Sequence, residues 1–143
     1  MKELFTYLNF DGKAREAMKF YEHCLGGKLQ MMTFGEAQMP NVPSEAKDRI
    51  IHAQLTKGSV TLMASDTMPG MPYKQGNNFS VTINCESAKE AEQLFKALSE
   101  NGHIYMPMAP TFFAEQFGGL MDKYGVGWMI NFQGKAPAPF SQK

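Results

Sequence analysis

The chain has 143 residues, 43% of them hydrophobic, and its fourteen basic residues balance fourteen acidic ones. That length supports one core of ordinary size, and no stretch concentrates either sign of charge, which argues against nucleic acid and against an anionic membrane surface as partners. The apolar runs fall short of the roughly 18 to 20 residues needed to span a bilayer, and Glu3, Asn9 and Asp11 interrupt any secretory signal pattern, so the expected location is the cytoplasm.

Leu4 to Phe10 alternates and runs into Asp11-Gly12, which predicts a strand turning into a helix. The helix is read over Lys13 to Leu25. Ala14, Ala17, Met18, Tyr21 and Leu25 make one apolar stripe, Arg15, Glu16, Lys19 and Glu22 take the wet side, and Gly26-Gly27 ends it. Lys28 to Gly35 reads as a strand. After a loop carrying Pro40 and Pro43 come strands over Arg49 to Thr56 and Val60 to Ser65, joined at Lys57-Gly58 as a hairpin. Residues 67–77, with Pro69, Gly70, Pro72 and Gly76, read as a linker. Asn78 to Cys85 is the next strand, and Ser87 with Glu90 forms a capping box in which Glu90 is expected to reach back to the Ser87 amide. The helix it starts has Ala91, Leu94, Phe95 and Leu98 as its stripe. Strands around His103 to Met108, Phe117 to Lys123 and Val126 to Phe132 follow, and the tail from Gly134, with Ala136-Pro137-Ala138-Pro139, is expected to fray. Cys24 and Cys85 occupy apolar positions within elements, which predicts buried thiols and no disulfide.

The first half recurs in the second. Ala14-Arg15-Glu16-Ala17 returns as Ala88-Lys89-Glu90-Ala91, each after a short alternating strand, and the stop at Gly26-Gly27 has a counterpart at Gly102. Each half reads strand, helix, strand, strand, strand. The expected fold is therefore α+β in a single domain: two tandem βαβββ modules, over residues 1–66 and 78–133, with a tail over 134–143. One helix cannot cover both faces of four strands. Modules joined side by side are expected to make a curved mixed sheet, with the helices on its convex face and a small-molecule cleft on the concave one.

His52 lies inside a predicted strand and can act as general acid or base, because imidazole titrates near neutrality; the plainer alternative is a histidine satisfied by a neighbouring strand. Glu36, at the mouth of a long loop, can serve as a base or pair with His52. Asp122 is expected to hold the Asp-Lys-Tyr-Gly turn through nearby amides. His23 and His103 read as surface groups, and three histidines so scattered show no metal-ligand spacing. Twelve methionines and eleven phenylalanines mainly serve the core. A subset, including Met63, Met129, Phe112 and Trp128, is suited to a soft aromatic-walled pocket for a planar or apolar ligand. The chain carries no G-x-S-x-G, H-E-x-x-H, G-x-x-x-x-G-K-[ST] or strand-to-helix G-x-G-x-x-G motif.

Several stretches match a known pattern: Phe10-Asp11-Gly12-Lys13-Ala14-Arg15-Glu16-Ala17 with Phe20-Tyr21, Phe34-Gly35-Glu36, Ile51-His52-Ala53 and Leu62-Met63-Ala64-Ser65-Asp66. In the second half they are Pro107, Thr111-Phe112-Phe113, Phe117-Gly118 and the run from Asp122 to Asn131. In order and spacing the chain resembles the glyoxalase, bleomycin-resistance and extradiol-dioxygenase superfamily, the vicinal oxygen chelate proteins, and its PhnB-like branch in particular. The resemblance implies a homodimer and a ligand pocket lined by both modules. In metal-using members, His, Gln and Glu from the first and last strands of each module hold a divalent ion. The corresponding places here fall near Thr6 and Leu8, Thr61 and Met63, Phe79 and Val81, and Met129 with Asn131, and none is His, Asp or Glu. A slip of one residue offers Tyr7, Leu62, Ser80 and Trp128, which are no better as ligands.

On this reading no metal or cofactor is expected, and Thr6, Leu8, Met63, Phe79, Phe112, Trp128 and Met129 are the ligand-binding candidates. The alternative is a lyase, isomerase or dioxygenase of the same superfamily, with His52 and Glu36 as an acid–base pair or within an atypical divalent-metal centre. A third is a dimeric scaffold whose cleft has filled with side chains. Related sequences also bear a ubiquinone-pathway methyltransferase label; methyl transfer needs a site for its donor, and the chain shows no glycine-rich strand-to-helix turn.

Overall fold

An amphipathic helix needs an apolar surface to lie on, and each half of this chain builds one from four short strands. The computed structural model describes residues 1–140, and the chain divides into two units, one ending at Lys74 and one starting at Gln75. The first contains β1 (Thr6–Phe10), α1 (Ala14–Leu25), β2 (Lys28–Thr33), a 3-10 turn (Ser44–Ala46), β3 (Ile50–Lys57) and β4 (Val60–Asp66). Its sheet has the order β1-β4-β3-β2, with β1 parallel to β4 and the other pairs antiparallel. The second contains β5 (Val81–Asn84), α2 (Ala88–Leu98), β6 (His103–Ala109), β7 (Gln116–Met121) and β8 (Gly127–Phe132), in the equivalent order β5-β8-β7-β6 with β5 parallel to β8. The fold is α+β, and each unit is a βαβββ module with its own mixed sheet.

Alternation along the strands sorts each sheet into a covered and an uncovered face. In the first unit Leu8, Phe10, Ala53, Leu55, Leu62 and Ala64 are buried on the side of α1, which packs on β2, β3 and β4 with Ala14, Ala17, Met18 and Tyr21 inward. Small residues on both surfaces let helix and sheet approach closely. In the second unit α2 packs on β7 and β8, burying Ala91, Phe95 and Leu98 with Leu120, Trp128 and Ile130.

The two helices start differently. Lys13, at the N-cap of α1, provides no side-chain cap. The orphan amides are met instead by Asp66, at the end of β4. Its Oδ1 accepts from the Gly12 and Ala14 amides, each at 2.9 Å, and its Oδ2 accepts from the Ile50 amide at 2.9 Å. One buried carboxylate thus joins the end of β4, the entry to α1 and the start of β3. Before α2, Ser87 Oγ accepts from the Glu90 amide at 3.1 Å, as the capping box requires. The return bond differs from the expected one: Glu90 Oε1 accepts from the amide of Glu86, at 2.8 Å, one residue before the cap.

Several boundaries also differ. β1 begins at Thr6, leaving Leu4 and Phe5 exposed before it. The stop of α2 rests on Asn101, whose φ is 56°; Gly102 is required for another reason, since a β-carbon there would collide with the Met121 carbonyl oxygen. The start of the tail, expected to fray, is tied back: the Lys135 amide donates to Glu115 Oε2 at 2.7 Å and the Ala136 amide to the Gln133 carbonyl at 3.1 Å. Residues 141–143 of that tail lie outside the described residues. Cys24 and Cys85 are free thiols, both half-buried. No helix among the described residues is long and apolar enough to cross a membrane.

Replacing Asp66 by Ala leaves three main-chain donors without their acceptor, at about 1 kcal/mol or more each, so about 3 kcal/mol of stability is lost. Ser87→Ala removes a single local cap and costs about 1 kcal/mol. Urea denaturation of the two variants measures this ordering directly.

Candidate functional site

The period-two rule that buries Leu8 and Phe10 turns Tyr7 and Asn9 to the uncovered face of the first sheet. Thr61, Met63 and Ser65 from β4, His52, Gln54 and Thr56 from β3, and Lys28, Gln30 and Met32 from β2 share that face. Tyr7, Met63, Gln54 and Gln30 are register partners and form one row across the sheet. His52 stands opposite Met32, next to an irregularity in the β2–β3 pairing that allows both Ile50 and Ala53 to be buried while His52 points outward.

The polar groups on this face are connected. Tyr7 Oη lies 3.1 Å from His52 Nδ1, reaching over β4 from β1 to β3, and the two rings sit 5.8 Å apart at 34°. His52 Nε2 lies 3.5 Å from Gln54 Oε1. With Gln54 Oε1 accepting from Nε2–H, Nδ1 carries the lone pair and the tyrosine hydroxyl donates to it. The imidazole is thereby held in one orientation, firmly on the Tyr7 side and by a long, weak bond on the other.

The expected site residues divide accordingly. His52 and Met63 lie on this uncovered face. Leu8 is only 3% exposed and belongs to the surface under α1, with Thr6 on the same side by parity. Glu36 is not brought to His52. It sits in the turn after β2, where its Oε1 accepts from the Thr33 amide at 3.0 Å and its own amide donates to Thr33 Oγ1 at 3.0 Å. The Thr33 amide first and the Thr33 hydroxyl second hold the Glu36 carboxyl below its usual pKa against an opposing effect of desolvation, with the charge of Arg15 adding the least. A carboxylate so stabilised is a poor proton acceptor. Tyr7 and Gln54 are the residues that sequence reading did not select.

In the second unit the uncovered face carries Thr82, Asn84, Met129, Asn131, Phe117, Gly119 and Met121. Tyr105 lies over Gly119, where a β-carbon would come within 2.7 Å of its ring. Phe112, 78% exposed, meets Phe113 edge-on at 5.1 Å, and Phe113 meets Phe117 at 5.2 Å, so an aromatic chain runs onto this face. Phe79 is also exposed. Trp128 is 1% exposed, and its indole N–H donates to Asp122 Oδ2 at 2.8 Å, while Asp122 Oδ1 accepts from the Tyr124 and Val126 amides. Trp128 is thus a core residue, and Asp122 holds its turn. Burial first, then the charge of Glu90 and a hydrogen bond to it, push the Cys85 thiol up to about 11, which leaves little thiolate near neutral pH.

The divalent metal that the resemblance implies for some members can be tested against these donors. The uncovered faces present phenol, amide, hydroxyl, thioether and ammonium groups, with one imidazole on each: His52 on the first and His103, the register partner of Met121, on the second. Among the described residues no three His, Cys, Asp or Glu side chains come together. Zinc, iron, manganese or nickel binding needs several imidazole or carboxylate ligands, so this set does not fit such an ion.

The family model described as 3-demethylubiquinone-9 3-methyltransferase matches residues 2–131. The chain belongs to this PhnB-like family. Protein YjdN of Escherichia coli (strain K12) is 31% identical, over 94% of this chain and 97% of that protein. The crystal structure of protein PA1353 from Pseudomonas aeruginosa is 44% identical with a TM-score of 0.85, covering 93% of this chain and 98% of that one. A PhnB protein from Bacillus cereus, titled a putative 3-demethylubiquinone-9 3-methyltransferase, is 28% identical with a TM-score of 0.74, covering 92% and 99%. A glyoxalase/bleomycin resistance protein/dioxygenase from Nocardioides, 17% identical with a TM-score of 0.61, covers 100% of this chain and 91% of its own and shares the fold.

Because Glu36 titrates below its unfolded value, its contribution to stability is present above the unfolded pKa and is lost as pH falls through the folded one. Thr33→Val removes the hydroxyl and leaves the amide, so the Glu36 midpoint moves part of the way back up. Carbon-detected NMR titration of the Glu36 carboxyl in both proteins measures the difference.

Proposed function

We propose that this chain is a vicinal-oxygen-chelate-fold protein that binds a small organic ligand, with an apolar or aromatic body, without a resident metal. The observation that carries this reading is the Tyr7–His52–Gln54 chain on the uncovered face of the first sheet. Side chains on this face offer hydrogen bonds and soft apolar surface, which suit an organic molecule. Met63 supplies apolar surface in the same row as Tyr7 and Gln54. Met129, Phe79 and Phe112 are the matching candidates in the second unit. Leu8 and Trp128, buried among core residues, act through packing.

A second reading, a lyase, isomerase or related enzyme of the superfamily, draws on the Tyr7 hydroxyl at His52, since a hydroxyl-bonded imidazole can pass a proton. The binding reading is preferred because Glu36, the expected acid–base partner of His52, is closed on Thr33 instead. Methyl transfer, which the family description names, finds no support in the strand-to-helix turns: the Gly12 and Ala14 amides at α1 are already taken by Asp66, and α2 is closed by Ser87 and Glu90. A homodimer in the cytoplasm completes the proposal.

Protein purified without added metal is expected to carry no stoichiometric transition metal by elemental analysis, and its thermal shift with small aromatic compounds should be unchanged by a chelator. Stoichiometric metal that is lost in His52→Ala would overturn the reading.

A further inference from the structure

The uncovered face of the first sheet has an unusual charge composition. Among the residues that alternation places there, Tyr7, Asn9, Lys28, Gln30, Met32, His52, Gln54, Thr56, Thr61, Met63 and Ser65, none is Asp or Glu. Three acids of this unit are engaged elsewhere. Asp66 is buried against the start of α1, Asp11 follows β1 and pairs with Arg49 at 2.9 Å, and Glu36 is closed on Thr33. The face presents hydrogen-bond donors and one lysine, with no acidic group to repel an anion.

Resting on the small-ligand reading above, we propose that His52 Nε2 and the Gln54 side-chain amide, oriented by Tyr7, receive a carboxylate or enolate oxygen of the ligand. The two hydrogen bonds at the imidazole are unequal, and that inequality carries the proposal. The Tyr7 bond, 3.1 Å long and made from another strand across β4, fixes the ring. The Gln54 bond, 3.5 Å long and made to a residue of the same strand, is at the outer limit of hydrogen bonding. An anionic acceptor makes bonds of about 2.7 to 2.9 Å to an N–H donor, roughly twice as strong as neutral ones. Replacing Gln54 Oε1 at Nε2 with such an oxygen therefore improves the bond, and it frees the Gln54 amide to turn its NH2 toward the same oxygen. Met63, in the row between Tyr7 and Gln54, supplies the polarisable surface beside which a flat body can lie. The ligand class is a small planar molecule ending in a carboxylate or enolate.

Benzoate and its neutral counterpart benzamide are the probes, read on the His52 ring and Gln54 side-chain amide signals by NMR. Benzoate should shift both signals saturably and bind about ten-fold or more tightly than benzamide. His52→Gln should weaken benzoate by about ten-fold or more, and Tyr7→Phe by several-fold, with backbone spectra confirming that both variants stay folded. Benzoate that leaves the His52 and Gln54 signals unmoved, or binds His52→Gln as well as the native protein, overturns the proposal. Equal binding of benzoate and benzamide at these signals overturns the anion receptor and leaves the small-ligand reading standing. That reading fails on its own separate measurement, the metal content.

Discussion

Asp66 is the constraint on which the first unit depends. Its two oxygens take three main-chain amides from segments that are far apart in the sequence, and each would otherwise be left without a partner next to the core. By fixing where α1 begins relative to the ends of β3 and β4, the carboxylate holds the helix over Leu62 and Ala64. The opposite face of the sheet is left without a helix of its own unit as a result. His52 follows the Ile50 amide that Asp66 holds by only two residues, so the position of the imidazole depends on a contact on the other side of the sheet.

The duplicated unit meets the same requirement by other means. Its sheet has the same strand order and the same parallel first pair, yet its helix is capped locally by Ser87 and Glu90, and its buried carboxylate, Asp122, serves the turn before β8 and the Trp128 indole. Topology and strand parity are the same in the two units, while the polar groups that secure them differ. The uncovered faces have diverged too. One carries the Tyr7–His52–Gln54 chain, and the other is dominated by Phe117, Met121, Met129 and the ring of Tyr105. An acidic ligand group is better suited to the first, and apolar contact to the second.

What the sequence made legible follows from the range of the forces involved. Both helical stripes, the Lys57-Gly58 hairpin and the cap at Ser87 depend on neighbours a few residues apart, and all were readable. The remote cap was not, because nothing near Asp66 announces that it closes a helix 52 residues upstream. The candidate site was only half legible for a related reason. His52 stood out by its chemistry, but its partner Tyr7 lies 45 residues away and meets it only through the register of β1 on β4 and β4 on β3. A one-residue difference in parity separates Leu8, read as a ligand contact, from Tyr7, which faces outward. The suggested partnership of Glu36 and His52 ignored the Thr33 hydroxyl three residues before Glu36, a local competitor that wins without any cost of ordering the chain.

The chain has a single tryptophan, and it is sealed in the second unit with its indole nitrogen bonded to a carboxylate. Intrinsic indole emission therefore reports on one half of the molecule alone. Circular dichroism registers both helices, so any gap between the two signals on heating would reveal whether the twin halves melt together or in turn.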